Sequence, residues 1–422
     1  MARAIHPQPA GGAGGVVVEI DKMAAGGDGL GHLPDGRVVF VAGAITGETV
    51  RVELLSNKRD YAKGTVSEVL EESTDRVVPP CPYVAAGCGG CSWQHIAPAS
   101  QLALKVEVVR DALRRTAGLP DADVRAGAAV DPWAYRTTVR LAVRGDGRVG
   151  FRGARSHDVV VVDDCLVAHP RLGELLAGLR AWNASEVMLR VGVASGERSA
   201  LAVAAPTSRR SKSRPTLAGL PDDVRYGDRA VVHERVDGTL LQVSAGSFFQ
   251  SGPQAAELLV AAVRNACGPL LGNGATHNGA MLDAYGGVGM FAAALGADRP
   301  IVVESSPSAC SDAAVNLAGR DSVIECLPME EWLPVPVPLV VADPARAGLG
   351  TRGAERIAAT GAEMIVLVSC DPVSLARDAR LLAGLGYAHA GSEVLDLFPN
   401  TPHVEVVSRF MPAGVALSVR VA

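Results

Sequence analysis

The sequence predicts an α/β protein in three parts. These are a five-stranded N-terminal β-barrel over residues 16–74, a cysteine-bearing segment and central α+β domain over 75–245, and a parallel α/β domain over 246–422. Three observations predict it. Short alternating stretches at 16–20, 37–41, 49–55 and 64–70 are punctuated by Gly-Gly-Asp-Gly and Pro-Asp-Gly turns, as in a small closed barrel. Residues 136–152 alternate arginine and apolar side chains around Gly145-Asp146-Gly147, which reads as a hairpin. Beyond Pro253, apolar strands alternate with helical stretches and three of them end in a polar residue: Glu304, Asp343 and Cys370.

Residues 1–15, rich in Gly, Ala and Pro, read as a disordered tail. The 422 residues are enough for two to three domains, and 48% hydrophobic content supplies a sizeable core. No apolar run approaches the ~20 residues of a membrane span, and the N-terminus lacks a signal-peptide pattern. A cytoplasmic, monomeric protein is therefore expected, with no membrane partner.

The net charge is −5, so any nucleic-acid partner would require local concentration of basic residues. The hairpin supplies one. Arg136, Arg140, Arg144, Arg148 and Arg152 share its even-numbered face, and Asp146 is the one acid among them, a pattern suited to phosphate contact. A second basic cluster at 208–214 reads as a solvated loop. A helix is expected over 102–115, further strands at 158–162, 187–193 and 200–204, and a helix from Pro253 through Ala266.

Cys81, Cys88 and Cys91 are spaced C-x6-C-x2-C among glycines, and Cys165 follows. Four thiolates suit zinc or an iron–sulfur cluster, and spacing alone favours zinc. Cys267, Cys310 and Cys326 read as packing residues, a disulfide being disfavoured in a cytoplasmic protein.

In the last domain, Asp283-Ala284-Tyr285-Gly286-Gly287-Val288-Gly289 reads as a strand end, a Gly-rich turn and the start of a helix. Glu304 stands 21 residues after Asp283, where a ribose hydroxyl partner belongs. Right-handed crossovers bring the ends of the strands bearing Glu304, Asp343 and Cys370 to one edge of one sheet, where open α/β sheets bind ligands. A lone cysteine would read there as a small buried hydrophobe. Beside two acids and a cofactor loop it reads as a nucleophile. Glu405 follows a Pro-rich loop and, by itself, reads as an exposed strand-edge charge.

Four motifs carry a resemblance. D-x-x-G-G-x-G from Asp283, A-D-P-A-R-A-G around Asp343, V-S-C-D-P around Cys370 and F-P-x-T-x-H-x-E ending at Glu405 occur in this order. The chain resembles the RNA uracil-5 methyltransferase family, whose members make 5-methyluridine in transfer or ribosomal RNA. The resemblance implies a Rossmann-like class I methyltransferase domain and S-adenosylmethionine as cofactor. It implies Cys370 as nucleophile and Glu405 as base. Cofactor contacts are implied for Gln250, Asp283, Tyr285, Gly287, Gly289, Glu304 and Asp343. Many members carry Asn where this chain has Met290, so Met290 is left out of the site. Residues 16–74 resemble a TRAM domain, an oligonucleotide-fold-like RNA binder.

The Asp163-Asp164-Cys165 context resembles the ribosomal branch, which implies a [4Fe–4S] cluster on Cys81, Cys88, Cys91 and Cys165 and 23S ribosomal RNA as the expected substrate. The other readings are a transfer-RNA uridine or RNA cytosine C5-methyltransferase and, in another class, a non-catalytic RNA-binding iron–sulfur protein.

The chemistry accounts for these residue types. C5 of uracil is too weak a nucleophile to take a methyl group from a sulfonium. Addition of a thiolate at C6 makes an enolate whose C5 is nucleophilic, and a base must then remove the C5 proton before the thiol can leave.

Overall fold

The computed structural model describes residues 15–205, 214–268, 270 and 280–414. The tail expected over 1–15 lies outside them except for Gly15, and so does the basic cluster at 208–214 except for Arg214. The chain divides into two compact units, Met1–Val77 and Val78–Ala422.

The first unit is a closed barrel of Val16–Met23, Gly29–His32, Val38–Ala42, Thr49–Asn57 and Tyr61–Glu71. Alternation turns Val18, Ile20, Val39, Val41, Val50 and Val52 inward to form its core. Glu48 is wholly buried but satisfied. Arg76 donates to both of its oxygens at 2.5 and 2.7 Å, and the Ile45 amide donates at 2.9 Å. Burial opposes ionisation of Glu48, but these bonds outweigh it and hold the carboxyl below its usual range.

The second unit is organised by an eight-stranded sheet. Its order is Val323–Cys326, Arg299–Glu304, Ala280–Ala284, Leu339–Ala342, Met364–Ser369, Glu405–Pro412, Tyr387–Asp396, Val124–Ala129. The first five strands run parallel. They are near-continuous runs of Val, Ile, Leu and Ala because helices cover both faces. Glu405–Pro412 is antiparallel to both of its neighbours. The last edge strand comes from well before residue 246: Val124–Ala129 pairs with Tyr387–Asp396, so the sheet draws on the segment expected to belong to the central domain. The helix expected at 102–115 runs over Pro98–Ala112 and continues into one wider turn, Leu113–Ala117. Its Val106, Val109 and Leu113 pack into the core of the sheet.

A six-stranded sheet of mixed pairing, with its own apolar core, carries the hairpin. Thr138–Val143 and Val149–Arg152 pair across the expected Gly145-Asp146-Gly147 turn. No helix among the described residues is long and apolar enough to cross a membrane. Cys310 and Cys326 correct the packing expectation: they are joined as a disulfide between helix Pro307–Asn316 and strand Val323–Cys326.

Candidate active site

Most chemical groups of the site stand at strand ends. Strand Ala280–Ala284 ends in a turn in which Tyr285 is left-handed at φ 59°. A left-handed backbone is strained for a bulky residue, and such strain gathers at ligand sites. Gly289, at φ 77°, caps helix Met290–Ala294, and a Cβ there would press on Ala313 and Leu317 at 3.3–3.4 Å. Asp283 lies fully buried beneath the turn. One oxygen accepts from the Ala292 amide at 2.9 Å and the other has no partner. Burial, followed by the neighbouring Asp343 and Glu304 carboxylates, pushes its pKa up to about 8.

Glu304 accepts from the Gly287 amide at 3.0 Å and the Ser306 amide at 2.7 Å, so its carboxylate is fixed at the mouth of the turn. Asp343 follows Leu339–Ala342. The loop after it is tied to helix Pro372–Gly384, the helix that follows Cys370: Asp378 accepts from the Leu349 and Gly350 amides at 2.7 and 3.2 Å. A Cβ at Gly348, φ 75°, would lie 2.1 Å from the Asp378 carboxylate, so only glycine fits this closure. Cys370 follows Met364–Ser369, and Asp371 caps the next helix through the Val373 and Ser374 amides.

Glu405 reaches the same edge from the opposite chain direction. Ser369 pairs with Val406, which sets Glu405 across from Cys370. Glu405 is 4% exposed, and one of its oxygens has no partner. The loop before it is anchored below. The fully buried Lys105 donates to Asp396 at 2.6 Å and to the Phe398 carbonyl at 3.2 Å. The Asn400 amide donates to Gln101 at 2.6 Å, and the Trp93 amide donates to the Asn400 carbonyl at 2.9 Å.

These elements enclose one cavity of about 910 Å³. Of the expected residues, Gln250, Tyr285, Gly287, Glu304, Asp343, Cys370 and Glu405 line it, and so does Arg136. Asp283 and Gly289 shape the turn from behind. Met290, left out of the expected site, is in the wall, as are Phe248, Phe398, Arg346 and His403. Phe248 is 72% exposed, and its position after Ser247 gave no sign of this.

The electrostatics favour neutral forms. Burial, then the Glu405 and Asp343 carboxylates, push the Cys370 thiol up to about 11, against a downward pull from Arg346. Burial and Asp343 raise Glu405 well above the carboxylate range, and burial raises Asp343. Two facing acids beside one thiol favour holding a proton among them. Burial, then Arg346, lowers His403 to about 4, so its ring is neutral at pH 7.

The four candidate ligand cysteines are half-buried, free thiols. Burial raises the thiols of Cys88, Cys91 and Cys165, with lesser contributions from neighbouring cysteines: Cys81 on Cys88, Cys165 and Cys88 on Cys91, and Cys81 on Cys165. Their loop is stitched to the hairpin by the Gly89 amide to the Arg152 carbonyl and the Ala154 amide to the Gly87 carbonyl. Among the described residues, no group of three or more His, Cys, Asp or Glu is disposed to hold a metal ion.

The hairpin arginines divide. Arg140 and Arg152 lie 3.5 and 3.6 Å from Glu186 of the neighbouring strand, an acid that the hairpin sequence alone does not reveal. Arg144 and Arg148 both bind Asp146. Arg136 precedes the strand and does not share this exposed face. Its backbone bridges to Ala168, and its guanidinium lies over the Tyr135 ring at the cavity wall.

Residues 16–67 match the TRAM domain model. Over the whole length, the chain is similar to an uncharacterized RNA methyltransferase of Streptomyces avermitilis, 36% identical over 95% of this chain and 99% of the relative. It is likewise similar to one of Corynebacterium glutamicum, 31% identical over 94% of this chain and 96% of that one. Among solved structures it is similar to the Pyrococcus abyssi tRNA (uracil-54, C5)-methyltransferase in complex with S-adenosyl-L-homocysteine. That match has a TM-score of 0.68 at 25% identity and covers 93% of this chain and all of that one. With a TRAM barrel ahead of a methyltransferase fold and full-length relatives of this kind, the chain belongs to this family of RNA methyltransferases.

Proposed function

We propose that the protein methylates C5 of a uridine in RNA, with S-adenosylmethionine as methyl donor. The observation that carries this reading is the placing of Cys370 and Glu405 at facing ends of two antiparallel strands, paired through Ser369 and Val406, at one wall of the cavity that the Gly-rich turn also lines.

The cavity fits the cofactor. Its size is that of a small-molecule site, Glu304 is fixed at the turn, and the Tyr285 hydroxyl is buried with no partner. Gln250, Tyr285, Gly287, Glu304 and Asp343 would hold S-adenosylmethionine, which supplies an electrophilic methyl group when bound. Cys370 gives its proton to Asp343, which leaves Glu405 free as a base, and its sulfur bonds to C6 of the uracil. The C5 so activated takes the methyl group. Glu405 then accepts the C5 proton, the C6–sulfur bond breaks, and the thiolate is regenerated. Arg346 and the neutral His403 stand beside this step, and the Arg346 charge supports the thiolate.

The four free thiols are not disposed around a metal in this structure, but they have the donor chemistry of a [4Fe–4S] cluster with a structural role, which would be held by Cys81, Cys88, Cys91 and Cys165. The cysteine set favours ribosomal RNA as substrate. The likeness to a transfer-RNA enzyme supports transfer RNA as the second reading. Incubating the protein and labelled S-adenosylmethionine with unmodified ribosomal and transfer RNA transcripts tests both. Label in 5-methyluridine of one transcript identifies the substrate, and label in cytosine rejects the uridine reading.

A further inference from the structure

The tip of the hairpin bears a second feature, one that the alternating arginines do not explain. Strand Arg180–Trp182 lies beside it: Arg148 bridges to Arg180, and the Ala181 amide donates to the Gly147 carbonyl at 2.9 Å. Arg144 and Arg148 bind Asp146, and Arg180, whose guanidinium donates to the Leu179 carbonyl at 3.0 Å, stands on the strand beside them. Trp182 is 45% exposed beside them. Gly147, at φ 82°, comes so close that a Cβ would stand 2.9 Å from the indole nitrogen, so the glycine lets the indole edge lie against the turn. Of the four tryptophans, Trp93 and Trp332 are buried at 1% and 4% and Trp133 packs on the main core. Burial therefore accounts for the other three and not for Trp182.

We propose that Trp182 is a stacking platform for an unpaired base of RNA, with Arg144, Arg148 and Arg180 holding the flanking phosphates. An exposed aromatic face among arginines with a net positive balance is the arrangement that single-stranded nucleic acid recognises. Stacking contributes there without regard to base identity, and phosphate contacts add the salt dependence. The site lies between the tip of the hairpin and the two-stranded sheet of Arg180–Trp182 and Thr216–Ala218, and it contains no residue of the catalytic cavity. It rests on the reading of the chain as an enzyme acting on RNA.

The test is binding of a fluorescein-labelled single-stranded oligoribonucleotide to the full chain. Trp182→Ala should weaken binding roughly 5- to 150-fold, and Trp182→Phe should recover most of the loss. Trp182→Ala should leave the slope of log affinity against log salt unchanged, whereas Arg180→Gln should lower it by about 0.7. Trp182→Ala should raise the RNA concentration needed for half-maximal methylation. In the wild-type protein, RNA should shield the quencher-accessible tryptophan emission, a readout that needs no variant. An affinity within twofold of wild type for Trp182→Ala, a phenylalanine variant no better than alanine, or unshielded emission would each overturn the proposal. A wild-type protein that binds RNA in this way but transfers no methyl group would instead refute the enzymatic reading and leave the platform standing.

Discussion

The Cys370 thiol should be a poor nucleophile in the free protein. A thiol's ordinary value here is 9.0, and burial with the facing Glu405 and Asp343 carboxylates raises it to about 11. That displacement lowers the thiolate population about 100-fold at any pH well below both values. At pH 7.5 the fraction falls from roughly 3 in 100 to roughly 3 in 10,000. The rate of alkylation by iodoacetamide at the Cys370 peptide, followed by mass mapping from pH 6.5 to 11, measures it. The rate should keep climbing to the top of the range. At pH values where Glu405 is ionised, Glu405→Gln removes a like charge and should raise the rate, and Arg346→Gln should lower it. The sign for stability follows. The folded state favours the neutral thiol, so this contribution is fully present below 9.0 and is lost as pH rises through about 11. A rate that levels off below pH ~9, or no response to Glu405→Gln, would refute the argument that these carboxylates hold the thiol protonated.

Glu405→Gln should transfer the methyl group and then stall, leaving a protein–RNA adduct that survives denaturing gels. Inactivity without an adduct removes Glu405 from the role of base. Lys105→Met should destabilise the second unit by about 3–5 kcal/mol in denaturant titration, since it strands Asp396 in the interior; a loss under about 1 kcal/mol would mean that the pair contributes little. Replacing Arg140, Arg144 and Arg148 with Gln should reduce the salt slope of RNA binding by roughly one per lost phosphate contact, and an unchanged slope would return them to their acidic partners. Anaerobically purified protein should contain about four irons and lose them when Cys88 is replaced by Ser; a single stoichiometric zinc would replace the cluster with a metal ion.

Much of the fold was legible because strand ends are written locally. Apolar runs stopped by Asp343-Pro344 and by Cys370-Asp371-Pro372 announce parallel strands whose ends meet at one edge. The barrel and the Gly145-Asp146-Gly147 hairpin were equally plain from alternation and turns. What was not legible depends on register between distant strands. Glu405 alone reads as an exposed charge, and only the Ser369–Val406 pairing buries it against Cys370. Arg136 shares the parity of the other arginines but precedes the strand, so alternation does not govern it, and the bridge to Ala168 takes it to the cavity. The Cys310–Cys326 disulfide follows from Cys326 pairing beside Glu304, six residues before Cys310, a neighbourhood set by strand order. Glu186 and Trp182 belong to strands that the hairpin's own sequence does not contain.

The central claim is that Cys370 opens C5 of a uracil and that the C5 proton then leaves. The most direct measurement supplies RNA carrying tritium at C5 of its uridines and S-adenosylmethionine with a carbon-labelled methyl group, and counts both labels. The account predicts tritium released to water in equal amount to methyl label incorporated, with both lost in Cys370→Ala while S-adenosylmethionine still binds. Methyl incorporation without tritium release, or activity that persists in Cys370→Ala, would contradict it.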